Sequence, residues 1–286
     1  MRRARRVVGR GQPDGSSSAP DHRAGRRDTP ESQWFWDHYD NAADEVVAFL
    51  GGFGATLTGA AVADIGSGDG IIDLALARKA DPRRLVGYDL RPTNRELLQL
   101  AAEREGLPPE LPECLEFAES GELSIPADDA SFDVVVSWSA FEHVARPGPL
   151  ASEIRRILKD HGVLFLQLWP FYLSEHGSHL RDWFENEPFV QLRYGLDEIE
   201  ARVTENRIGA DPAWCQVMLR EFRSLNRITI DELQSALLAG GLVVRKAELY
   251  TSIVDVPDEL AHYRLADLAV SGIKLLAIPT EVAARG

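Results

Sequence analysis

From position 60 onward the chain alternates short apolar runs with stretches in which apolar residues return every three to four positions. The runs at 60–66, 84–90, 114–120, 131–139 and 162–169 read as strands. The last, GVLFLQLW, is apolar enough for burial on both faces, as a parallel sheet requires. Between the runs, 70–80, 93–106 and 149–162 carry helical spacing, and Ile154, Ile157 and Leu158 share one face of the third. Thr93, with Glu96 three residues on, reads as a capping box for the second. Upstream, 32–53 opens with aromatics, continues with Val46, Val47, Phe49 and Leu50 at helical spacing and ends on Gly51 and Gly52. Downstream the alternation stops at 170. It resumes with a helix over 228–241, behind a second capping pair, Thr229 and Glu232, and with strands at 242–250 and 272–279.

This order predicts an α/β fold with a Rossmann-like, doubly wound, mostly parallel sheet and helices on both faces. Residues 32–286 read as a single domain with two elaborations, an N-terminal helical segment over 32–55 and an insertion over 170–227. The insertion is long, aromatic and irregular. Its length is wrong for a plain connection and predicts a lid over a site.

Composition narrows the field. The chain is 286 residues long, 44% hydrophobic and 27% charged, which suits one globular domain. No apolar run approaches the roughly 18 residues of a membrane span, and the Arg-rich start has no apolar core of a secretory signal, so a cytoplasmic protein is expected. Cys114 and Cys215 are too far apart for a zinc pattern or a disulfide framework, and Cys114 reads as a buried thiol in a strand. The net charge of −14 is uneven: residues 1–31 form a basic tail, rich in Gly, Ser and Pro, that reads as disordered. The remaining body is acidic and would repel a polyphosphate, so nucleic acid is not the expected partner.

The chemistry concentrates after the first strand, in Asp64-Ile65-Gly66-Ser67-Gly68-Asp69-Gly70. Glycines at alternate positions let the backbone pass close to a ligand, and the helix that follows offers free N–H groups to a carboxylate or phosphate. A dinucleotide fingerprint needs a third small residue where this chain has Ile71, which disfavours an NAD-type oxidoreductase. Asp89 closes the second strand, where a carboxylate can accept both ribose hydroxyls of a nucleoside.

The spacing G-x-G-x-G behind Asp64 resembles motif I of the class I S-adenosylmethionine (SAM)-dependent methyltransferases. IPADDASFDVVVSWSAFEHV at 125–144 and EIRRILKDHGVLFLQLW at 153–169 likewise resemble the type 11 methyltransferase group. That resemblance implies a seven-stranded sheet with its last strand antiparallel, and SAM as cofactor. It implies that Asp64 and the backbone of Gly66, Ser67, Gly68 and Gly70 hold the methionine end. Asp89 would bind the ribose, with Leu90 against adenine. The adenine edge would fall to Glu119, Gly121 or Glu122, and Ser137, Trp138 and Ser139 would line the floor beneath the sulfonium.

For a base, three histidines compete: His143, just after the fourth strand, and His176 and His179 on the suspected lid. Gly177 interrupts any helix between the latter two, and no metal site is assigned. The acidic ligand pairs of catechol-type enzymes are missing, as is the Asn/Asp-Pro-Pro run of amino-group methylators, where this chain reads Ser137-Trp138-Ser139-Ala140. What remains favours a small-molecule acceptor, methylated on a hydroxyl or a carbon. The insertion is similar to those of bacterial enzymes acting on glycans or secondary metabolites, which makes O-methylation of such a compound the expectation. All six tryptophans lie outside the central helices and are expected either over one mouth or in a secondary core. A non-catalytic SAM-binding partner or regulatory subunit fits the same motifs.

Overall fold

Alternation along the strands divides the protein into two cores. In β1 (Ala61–Ile65), all five residues are buried, with Val62 facing one core and Ala61, Ala63 and Ile65 the other. A strand this apolar needs helices on both faces of its sheet. The computed structural model describes residues 28–205, 212–253 and 255–280. The other strands are β2 (Arg84–Asp89), β3 (Leu115–Glu119), β4 (Phe132–Trp138), β5 (Leu158–Leu168), β6 (Leu242–Thr251) and β7 (Val270–Pro279). They form one seven-stranded sheet in the order β3-β2-β1-β4-β5-β7-β6. Pairing is parallel from β3 to β5, and β7 runs antiparallel to both β5 and β6. The strand order reverses between β1 and β4, where an open α/β sheet leaves a crevice at its carboxyl ends. The Rossmann-like reading and the antiparallel last strand are both as expected.

The helices are α1 (Pro30–Trp36), α2 (Ala43–Gly51), α3 (Ile71–Lys79), α4 (Arg95–Arg104), α5 (Pro147–Ile157), α6 (Val190–Arg193), α7 (Leu196–Glu205), α8 (Pro212–Ser224), α9 (Ile230–Ala239) and α10 (Leu265–Ala269). Thr29 caps α1 through its side chain and Pro30 occupies the first turn, so the N-terminal segment starts two residues before 32. It passes through a π-helical turn, Asp37–Ala42, into α2. Phe35, Trp36, Tyr39, Val46 and Phe49 bury this rod in the same core as α3 and α4, while α5 and α9 cover the opposite face. Thr229 and Glu232 make the expected reciprocal capping box of α9.

Three local expectations are corrected. The cap of α4 is Asn94, whose side chain accepts from Leu97 N–H, and not Thr93, which is buried and bonded to the glycine turn. The third central helix stops at Ile157. Leu158 to Gly162 continue as β5 because Leu158 pairs with Phe132 across a register irregularity. Cys114 is half-buried just before β3, while Cys215 is the buried thiol.

The segment 170–227 is not irregular throughout. It contains α6, α7 and α8, and Tyr172, Leu180, Trp183, Phe184, Ile199 and Leu219 help form a satellite core of its own. Nor do the tryptophans gather. Trp36 is in the N-terminal core and Trp183 in the satellite core, while Trp169 and Trp214 are about half exposed. The expected basic tail lies outside the described residues up to position 27, as do positions 206–211 of the insertion. Among the described residues no helix is long and apolar enough to cross a membrane.

Candidate active site at the strand ends

The glycine turn bridges the end of β1 and the start of α3. Gly66, Gly68 and Gly70 have φ of +86°, +52° and +78°, conformations that side chains resist. Their reasons differ. A Cβ on Gly66 would lie 2.4 Å from the Ala140 methyl, and one on Gly70 would lie 2.8 Å from Phe117 and from Thr93. A Cβ on Gly68 would meet nothing within 4 Å. Gly66 and Gly70 are thus demanded by the protein's own packing, and Gly68 is the glycine that faces open space.

Side chains fix this turn from beneath. Thr93 donates to Gly68 O at 3.0 Å and lies 3.2 Å from Ser67 Oγ. Asp89 accepts from Gly68 N–H at 3.1 Å and from Arg91 N–H at 3.2 Å, which ties the end of β2 to the turn. Asp69 accepts from Ile71 N–H at 3.1 Å at the start of α3, and from the Trp34 indole at 2.8 Å. The N-terminal segment therefore reaches the glycine turn directly. Leu90, beside Asp89, is 55% exposed and offers an uncovered apolar surface at this mouth. This arrangement has the chemistry a nucleoside would meet: an open glycine backbone, a carboxylate beside it and an apolar side chain next in line.

Of the three residues expected at the adenine edge, Glu119 is the register partner of Asp89 and is exposed. Gly121 closes a tight turn with Ser124, and Glu122 sits at its tip. Ser137 is fully buried and donates to Ile65 O at 2.8 Å. The Trp138 ring stacks on Phe165 at 6.2 Å. Ser139, at φ +46°, donates through N–H and hydroxyl to Gln167 Oε1, both at 2.9 Å.

Beneath the turn lies a pair of carboxyl groups that the sequence reading only half identified. Asp64 and Asp73 are both buried, and Asp64 Oδ1 and both Asp73 oxygens find no partner apart from each other. Burial pushes Asp64 up to about 7, opposed by its interaction with Asp73 and aided by the charge of Asp89. Burial and then the nearness of Asp64 push Asp73 well above the ordinary carboxylate range.

Beyond β4 the chain makes a short 3-10 turn, Phe141–His143, directly after the Ala140 that packs on Gly66. The end of the insertion pins this turn. Asn226 donates through Nδ2 to Phe141 O at 2.7 Å and Val144 O at 2.9 Å, and through N–H to Glu142 O at 2.7 Å. His143 Nδ1 lies 2.7 Å from Ser224 Oγ. The single Ser224 hydroxyl proton goes to Glu221 O at 2.8 Å, so His143 Nδ1–H is the donor to Ser224 and Nε2 keeps the lone pair.

His179 comes to this same place, its ring edge-on to His143 at 5.5 Å. The two imidazoles proposed separately as bases are therefore neighbours. His176 is not with them; its nearest acid is Glu175 at 3.8 Å. Burial lowers His143, partly offset by Glu221, and burial followed by the nearness of His143 brings His179 down to about 4. Glu142 completes the group. It is 2% exposed, neither oxygen has a hydrogen-bond partner, and burial pushes it up to about 8. The sequence reading passed over Glu142. Its signal was the pairing of an acidic residue with His143 in an otherwise apolar stretch after β4.

Comparison with known proteins agrees with the geometry. A family profile described as a methyltransferase domain matches residues 63–166. A ubiquinone biosynthesis O-methyltransferase of Paracidovorax citrulli is 33% identical over 112 residues, 39% of this chain and 44% of that protein. The chain thus spans about half the length, or less, of the curated relatives it matches first. Among solved structures, the Haloferax volcanii protein in complex with the Trm112 methyltransferase activator superposes with a TM-score of 0.52 at 19% identity, covering 92% of this chain and 99% of that one. A geranyl diphosphate methyltransferase in complex with SAM gives a TM-score of 0.51 at 12% identity, with 84% of each chain covered. At these identities the structures establish the fold. Residues 63–166 thus match a methyltransferase domain, and the sheet around them has the fold of the methyltransferases it superposes on.

Proposed function

We propose that this protein methylates a hydroxyl group of a small molecule, with SAM as donor. The observation that carries the reading is the packing of Ala140 against Gly66. Ala140 precedes the turn that carries Glu142 and His143, so the contact supports a reading in which a cofactor at the glycine turn and proton-accepting side chains act together. In this reading the open backbone of Gly68 and the carboxylate of Asp89 hold SAM, with Leu90 against its base and Glu119 nearest the adenine edge. Bound SAM supplies an electrophilic methyl group. The segment 170–227 acts as the lid that encloses the acceptor and keeps the site dry. The free Nε2 of His143 or of His179 takes the acceptor's proton, a contribution of about 100- to 10,000-fold in rate. The relatives named as ubiquinone biosynthesis O-methyltransferases make phenolic hydroxyls the first acceptors to try, with glycans and other secondary metabolites next.

Calorimetry tests the donor half: the protein should bind SAM and S-adenosylhomocysteine and leave NAD unbound. Binding of NAD without SAM overturns the reading. Formation of S-adenosylhomocysteine from SAM with a panel of phenols and sugars, followed by mass spectrometry, tests the acceptor half. Methylation confined to amines would overturn the hydroxyl assignment.

A further inference from the structure

The geometry points to a divalent transition-metal site formed by Glu142, His143 and His179. One carboxylate oxygen and one ring nitrogen from each histidine lie within 4.8 Å of one another. Tetrahedral ligands at about 2.0–2.1 Å from zinc stand about 3.4 Å apart, so small side-chain rotations close the three around one ion. Two observations single this group out from an ordinary acidic cluster. The Glu142 carboxylate is buried with both oxygens unpartnered, and His179 Nε2 is buried without a partner in the same place. Buried polar groups are normally satisfied, and here two of them converge. Neither bonds the other, which leaves their lone pairs for a third party.

The orientation of His143 points the same way. Its Nδ1–H is held by Ser224, itself anchored on Glu221 O, and Nε2 keeps its lone pair, with the Glu221 carboxylate 3.9 Å away and outside hydrogen-bond reach. Metal-binding histidines are oriented in this manner, through an outer hydrogen bond on the other nitrogen. Asn226 holds the backbone of Phe141, Glu142 and Val144, so two of the three ligands sit on a pinned turn. The third arrives from the insertion. Two imidazoles and one carboxylate suit zinc, cobalt or iron(II), whereas magnesium and calcium prefer oxygen ligands. Three protein ligands leave a position open, and a hydroxyl bound there would become more acidic. An ion here would take up the same imidazole lone pairs that the proton-acceptor role uses, so it would replace that role and activate the acceptor hydroxyl itself; SAM is held by other residues in either case.

The test uses the full chain, freed of metal by a chelator, titrated with Co2+ and then displaced by Zn2+. One equivalent of Co2+ should bind with visible bands of a low-coordinate site containing imidazole, and Mg2+ should not compete. His179→Ala and Glu142→Gln should abolish this binding, and Ser224→Ala should weaken it about 10- to 100-fold. His176→Ala, on the same loop but outside the group, should leave it unchanged. Circular dichroism and SAM calorimetry on each variant separate loss of the ion site from loss of the fold or of the cofactor site. If a variant fails to fold, X-ray absorption of the Zn2+-loaded wild-type protein decides, by its imidazole count. The proposal is overturned if no stoichiometric ion binds, if binding survives in both His179→Ala and Glu142→Gln, or if the bound ion sees only oxygen.

Discussion

The two halves of the candidate site are built from different materials. The proposed donor half is mostly backbone: a turn whose glycines adopt left-handed conformations, braced by Thr93 and Asp89 within thirty residues of sequence. The proposed acceptor half is side chain: Glu142 and His143 on one turn, with His179, Ser224 and Asn226 brought in from the insertion. A backbone site is specified locally and tolerates little change. A side-chain site is assembled across the fold, so its parts can be exchanged without disturbing the sheet. Substitutions in the first half should cost stability and binding together, and those in the second should separate them.

The largest effect is expected at Gly66. Valine there meets the Ala140 methyl and must also hold φ near +86°, costs of about 1–3 kcal/mol for crowding and 1–2 kcal/mol for backbone strain. Urea unfolding should show both, with SAM binding lost. Gly68→Ala, with open space around its Cβ, should show the strain alone. If the two substitutions cost the same, the distinction between packed and ligand-facing glycines fails.

Asp89→Ala comes next. It removes a charged acceptor from the proposed ribose site and from Gly68 N–H, so calorimetry should record a loss of about 2–4 kcal/mol in SAM affinity. Unchanged affinity would mean that the ribose is held elsewhere.

The Asp64–Asp73 pair predicts a pH dependence. Both carboxyls titrate higher in the folded protein than in the unfolded chain, so their protonated forms favour folding. Stability from this pair is full below about pH 4 and falls as pH rises toward 7, with a slope of up to about 1.4 kcal/mol per pH unit for each proton. Asp73→Asn should flatten that slope relative to wild type in unfolding curves between pH 5 and 8. A wild-type slope that survives the substitution would show that the pair does not carry it.

Asn226→Ala should be mildest, about 1 kcal/mol in unfolding, because its partners are only partly buried. Its value is diagnostic. SAM affinity should stay the same while turnover falls, since the 141–144 turn loses its two side-chain bonds and Ile228 N–H its acceptor, while no bond of the glycine turn is touched. A parallel fall in SAM affinity would join the two halves that the comparison separates.

How much could be read from sequence follows the same division. The strands from Ala61 to Leu168 each carry their own apolar signature, and the glycine turn is contiguous, so both were legible. The antiparallel last strand came only from family resemblance, and the order β5-β7-β6 was not legible, since nothing local in 242–250 or 272–279 states which neighbour each pairs with. Asn94 displaced Thr93 as cap because Thr93 is required under the glycine turn, a tertiary demand that overrides a local motif. The meeting of His143 with His179 was not legible at all. It depends on how 170–227 folds back over the strand ends, and its helices hid behind aromatic residues that serve the satellite core.

The position of β7 has a consequence for how the protein is made. This strand lies between β5 and β6 and ends at Pro279. Until it emerges from the ribosome, β5 has a neighbour on one side only, and the run Val163-Leu164-Phe165-Leu166 presents an open apolar edge. More than a hundred residues separate the end of β5 from the start of β7. At about 5–20 residues per second, that edge waits unpaired for several seconds, long enough to recruit the wrong strand from another chain. Nascent chains stalled before Val270 should therefore be the ones that chaperones hold.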